Sequence, residues 1–83
     1  MATKTVFVVQ SFQLKRKRLV PGKQEPAASQ HGALKKAEAL AARLPGAAAI
    51  AIVLDDETGE VERATVLGTF GEIPDDFAES LPG

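Results

Sequence analysis

Residues 5–12 carry the run Val6-Phe7-Val8-Val9 and are dominated by β-branched and aromatic side chains, which predicts a strand. Side chains alternate across a strand, so Val6 and Val8 fall on one face and Phe7 and Val9 on the other. Both faces are apolar, the pattern of a central strand rather than an edge. Lys15-Arg16-Lys17-Arg18 interrupts the pattern and predicts an exposed hairpin connection. Leu19-Val20 resumes a short second strand that Pro21-Gly22 disrupts. Proline donates nothing to a ladder, so this strand belongs at the sheet edge, and residues 21–28 read as irregular and extended.

The period changes once. Leu34, Ala37, Leu40, Ala41 and Leu44 recur at three- and four-residue spacing and predict an amphipathic helix over residues 30–44. Ser29 is its N-cap, and Pro45-Gly46 ends it, with glycine suited to a left-handed C-terminal conformation. Residues 47–54 are continuously apolar and too few for a buried helix, so they read as a buried strand. Ile50, Ile52 and Leu54 make one of its faces; Ala49, Ala51 and Val53 make the other. Asp56 to Gly59 supplies turn chemistry, with Gly59 free to take a positive φ. Residues 61–70 return as a fourth strand. Pro74 opens a short C-terminal helical turn from which Phe77 and Leu81, four apart, dock.

These elements predict one α+β domain over residues 1–83, of order β-β-α-β-β. Its four-stranded, mainly antiparallel sheet is expected in the order 2-1-3-4, with the helix covering one face through a right-handed crossover. The helix stripe is expected on the larger face of the third strand, with Leu40 and Leu44 against Ile50 or Ile52. That leaves Ala49, Ala51, Val53, Thr65 and Leu67 as an uncovered face and a candidate partner surface.

Charge is distributed unevenly. The formal net charge is −1, yet the nine Lys/Arg of residues 1–44 face only Glu25 and Glu38, and the nine acids of residues 45–83 face only Arg63. Opposed fields on one small domain predict internal neutralisation or head-to-tail contact. Cys is absent, which removes disulfides, thiolate ligands and a cysteine nucleophile. A secreted domain this small usually needs such cross-links, so a cytoplasmic location is expected. No apolar stretch is long enough for a membrane span, and the run at Val6 is too short for a signal peptide.

Candidate chemistry is sparse. His31 is the one histidine and stands in the first turn of the helix without a nucleophile or second metal ligand beside it. Asp55, Asp56, Glu57 and Glu60 lack the alternating ligand spacing of a calcium loop and read as a charged hairpin tip. Gly68 and Gly71 do not make a phosphate cradle. No catalytic residue, metal ligand or cofactor is therefore assigned.

Phe7-Val-Val-Gln-Ser-Phe12, followed by Ala37-x-x-Leu40-Ala-Ala-Arg-Leu44, resembles the opening of sporulation-related repeat domains. That resemblance implies peptidoglycan binding. The chain departs from the pattern in lacking the usual Gly before Ser-Phe and in placing a long basic segment before the helix. Over about residues 6–77 it resembles small uncharacterised bacterial proteins, through Val8-Val9-Gln10-Ser11-Phe12, the basic turn, Leu19-Val20-Pro21-Gly22 and Leu67-Gly-Thr-Phe-Gly-Glu-Ile-Pro74. This second resemblance implies a fold and no activity.

The expected function is a non-enzymatic binding or regulatory module that associates, with itself or a protein partner, through its sheet. The alternative is a weak nucleic-acid binder using Lys15, Arg16, Lys17, Arg18 and Lys23 on phosphates. An enzyme acting through His31 or the acids is the lesser alternative.

Overall fold

A computed structural model describes residues 2–74 and Phe77. The chain runs β1 (Thr3–Lys15), β2 (Arg18–Ala27), α1 (Gln30–Ala41), β3 (Gly46–Asp55) and β4 (Val61–Gly71). Every neighbouring strand pair is antiparallel and the order across the sheet is β2-β1-β3-β4, the α+β architecture that the pattern predicts. The two strands apolar on both faces, β1 and β3, lie side by side in the centre. α1 links β2 to β3, passing over the strand between them.

β2 runs through Pro21 and Pro26 to Ala27 where the prolines predict an irregular segment. An edge strand points half of its N–H groups away from its neighbour, so proline costs it little. The register shifts between Gln10 and Phe12, leaving Gly22 and Lys23 together opposite Ser11. Such a bulge interrupts the ladder. Gln10 Nε2 donates to the carbonyls of Ser11 at 2.9 Å, Gly22 at 3.1 Å and Lys23 at 3.3 Å. The buried Ser11 hydroxyl donates to the Lys23 carbonyl at 3.1 Å. These two polar residues inside an apolar strand thus satisfy the backbone that the bulge exposes.

Ser29 caps α1 as expected: its extended backbone places Oγ to accept the Gly32 N–H at 3.0 Å. The helix closes three residues early, at Ala41. The Arg43 and Leu44 N–H groups both donate to the Leu40 carbonyl, at 3.0 and 2.8 Å, so the last turn tightens ahead of Pro45. Gly46 does not supply a left-handed cap; it enters β3, where the Glu72 carbonyl fills the space a Cβ needs. The left-handed glycine here is Gly71, at φ 76°, set against the Pro45 carbonyl that accepts the Glu72 N–H at 2.9 Å.

The helix sits on the smaller face of β3, opposite to expectation. Ala33 and Ala37 are fully buried against Val9, Ala47 and Ala49, with Leu34 and Leu40 packed around them. Leu40 therefore joins the cluster that holds Ala47 and Ala49, and Ile50, on the next position of the strand, points to the other face. Both faces are apolar in sequence, and alternation alone does not rank them. Side-chain volume does: alanines on both elements let the helix approach closely, and at Gly68 a Cβ would stand only 2.8 Å from Leu34 Cδ2.

An interior this tight has no room for added methylenes. Ala37→Leu is expected to destabilise the domain by about 1–3 kcal/mol. Ala39→Leu, on the exposed side of the same helix, is expected to stay within about 0.5 kcal/mol of the parent. Urea unfolding of the two variants checks the helix seat, because equal effects would place both alanines in equivalent surroundings.

Candidate functional site

β3 changes environment halfway along its length. Gly46 to Ile50 are buried, whereas Ala51 to Asp55 are only half-buried, although the strand stays apolar through Leu54. On the face away from the helix, the register lines up Val8, Ile50 and Val66 in one row and Val6, Ile52 and Ala64 in the next. Lys4, Leu54 and Val61 form the third row. Ile50 is 2% exposed, while Val61 at the far corner is 44% exposed. Phe12 and Ala48, at the opposite end of this face, are buried. There Phe77 stands edge-on to Phe12, with ring centroids 5.0 Å apart and planes at 86°. The Phe77 N–H donates to the Pro74 carbonyl at 3.0 Å, closing a turn. Leu81, the other expected docking residue, lies outside the described residues.

The five residues read from sequence as an uncovered face are divided by this arrangement. Ala49 is completely buried beneath α1, and Leu67 packs against the same cluster. Neither is part of a free surface. Ala51 and Val53 lie on the same side, half-buried, and Thr65, paired with Ala51, is exposed. The larger apolar surface is the opposite one, built from Val6, Ile52, Leu54, Ala64 and Val61. Its signal in the sequence is the even-numbered alternation of β3, continued in register by Val6 and Ala64.

The basic residues form the tip of a ribbon. β3 accompanies β1 only as far as the Phe12–Gly46 pair, while β1 and β2 continue together to Lys15 and Arg18. Residues 13–18 are all exposed. Arg16 and Lys17 form a two-residue turn with φ of 51° and 66°, both left-handed. That backbone suits the right-handed twist of a hairpin and usually takes Asn-Gly. Lys15 and Arg18 are direct cross-strand partners, a like-charge pair that disfavours the pairing. Leu14 and Leu19 pair on the reverse face, Leu14 being 57% exposed. Lys23 is at the bulge, five residues along β2 from Arg18.

The remaining candidates stay apart. His31 is exposed in the first turn of α1. Asp55 Oδ1 accepts the N–H groups of Glu57 and Thr58, at 2.8 and 3.1 Å, and Gly59 takes φ 77°, so the acidic segment is a self-satisfied turn. Among the described residues there is no pocket, no group of three or more His, Cys, Asp or Glu side chains placed to share a metal ion, and no helix long and apolar enough to cross a membrane. Lys36 Nζ pairs with Glu25 at 3.5 Å, which commits one helix lysine to the edge of the sheet.

Holding two L-residues left-handed costs roughly 1–2 kcal/mol each. Replacing Arg16-Lys17 by Asn-Gly is expected to raise stability by about 1–2 kcal/mol, seen as a higher urea midpoint with an unchanged slope. An unchanged midpoint would show that the basic turn carries no backbone strain.

Compared with protein-family models, curated proteins and solved structures, the chain matches none.

Proposed function

We propose that the protein is a small non-enzymatic binding module of the cytoplasm that self-associates through the sheet face opposite its helix. The observation that carries this reading is the abrupt loss of burial along β3 beyond Ile50, on a strand that remains apolar to Leu54. Complete burial of a Val, Ile or Leu side chain releases about 1.5–3 kcal/mol, and the half-buried side chains of this face retain part of that. Apolar area grouped over three adjacent strands, with exposed Lys4 at its rim, has the make-up of an interface core and rim. A second copy is the simplest cover, because one patch then seals itself twice across a two-fold axis. The cytoplasmic assignment is supported by the absence of Cys from an 83-residue domain.

Two adjacent residues of β4 separate this surface from its alternatives. Ala64 faces the apolar patch and Thr65 the helix side. Sedimentation at micromolar concentration is expected to give twice the chain mass of 8.7 kDa. Ala64→Lys should convert the dimer to a folded monomer, its long stem carrying the charge to water. Thr65→Lys should leave the dimer intact. A parent protein that stays monomeric into the hundreds of micromolar would refute self-association through this face.

A further inference from the structure

We infer that the β1–β2 ribbon is an arm that enters the major groove of duplex DNA and is held there by phosphates on both walls. It uses a surface distinct from the self-association face and does not depend on that reading.

The first support is shape. Among the described residues no third strand accompanies the ribbon beyond Phe12, and three residue pairs project: Gln13–Val20, Leu14–Leu19 and Lys15–Arg18. At about 3.3 Å per residue they extend roughly 10 Å past the sheet. The B-form major groove is about 12 Å wide and 8.5 Å deep and admits a two-stranded ribbon. The arm therefore reaches the groove floor while the body of the sheet remains outside the duplex.

The second support is charge placement. Lys15 belongs to one strand and Arg18 to the other, while Arg16 and Lys17 occupy the turn between them. As direct cross-strand partners Lys15 and Arg18 leave the same face of the ribbon, one along each strand, and their long side chains can diverge to the two walls of a groove. The acidic turn is at the other end of the sheet, since Asp55 pairs with Thr3, at the far end of β1 from Lys15. Among the described residues, the ion pair is Lys36–Glu25, which engages none of the four ribbon cations.

The third support is what the arm gives up. Two left-handed non-glycine residues and a like-charge cross-strand pair are local choices that oppose folding. Local conflicts of this kind concentrate where a ligand relieves them. A phosphate on each wall neutralises one member of the repulsive pair, Lys15 from one strand and Arg18 from the other. Anchoring is present too: Gln10 and Ser11 tie the bulge at the ribbon's base through bonds of 2.9 to 3.3 Å. The A-form major groove of duplex RNA is too narrow for such an arm. An anionic bilayer offers a single plane and would engage the turn but not both strands.

The test is fluorescence anisotropy with a labelled two-turn DNA duplex, titrated with the full chain between about 50 and 200 mM salt. Four phosphate contacts predict a slope of log affinity against log salt near −3.6, an affinity loss of about 150-fold across that range. The Arg16→Asn, Lys17→Gly variant keeps the turn and half the charge, so its slope should fall to about −1.8. Replacing all four cations with Gln should abolish binding while far-UV circular dichroism stays unchanged. The proposal is overturned by no binding at the lowest salt, by a slope unchanged in the Asn-Gly variant, or by binding that survives the four Gln substitutions. It is equally overturned if duplex RNA or phosphatidylserine vesicles are bound as tightly as the DNA.

Discussion

Alanine packed on alanine governs this fold. Ala33 and Ala37 of the helix meet Ala47 and Ala49 of β3, with Val9 of β1 beside them, and all are fully buried. Methyl groups on both surfaces bring the helix close to the sheet, and larger side chains such as Leu34, Leu40, Leu67 and Phe70 pack around that contact. Two of the three largest fully buried side chains, Phe12 and Ile50, lie on the other face of the sheet, where Phe77 joins Phe12. The interior is thus two thin cores on either side of β1 and β3. A domain of this size has little stability to spare, so neither core is dispensable.

The same packing makes the sheet unequal along its strands. Helix and Phe12 cluster both cover the end where Gly46 pairs with Phe12, and among the described residues nothing comparable covers the end near Asp55. Charge follows the same axis. The basic ribbon continues beyond the sealed end, and the acidic turn closes the open one. Each therefore has its own support: a densely packed base for the ribbon, and a self-capped turn beside the apolar rows. The acidic turn and the basic ribbon are kept apart by the length of β1, and among the described residues the ion pair is Lys36 with Glu25.

Gln10 and Ser11 show how local chemistry and tertiary placement interact. In sequence they interrupt an apolar strand without an evident role. In the folded chain they supply the hydrogen-bond donors required where two residues of β2 crowd opposite one of β1. The bulge in turn keeps β2 paired with β1 past its prolines as far as Ala27. An edge that ended at Pro21 would leave the helix to start from an unanchored chain.

Short-range patterns determined a good deal. The run of β-branched residues in β1, the Ser29 cap, the single helical stripe, the apolar run of β3 and the turn at Gly59 each express a preference that a few neighbouring residues settle alone. With two strands apolar on both faces, those preferences also dictate the order β2-β1-β3-β4. Which face of β3 the helix takes is another kind of question. Ile50 and Ala49 are equally apolar, and the choice rests on how closely two surfaces approach, a property of paired volumes that no alternation pattern contains. For that reason the surface read from Ala49 and Leu67 is interior, and the open one is Val6, Ile52 and Ala64. The basic residues were legible as a hairpin, but their projection came from the register that ends β3 at Phe12. Local sequence determined the elements and their neighbours; only tertiary packing decided which faces and ends were left to meet a partner, because burial depends on what lies across the gap.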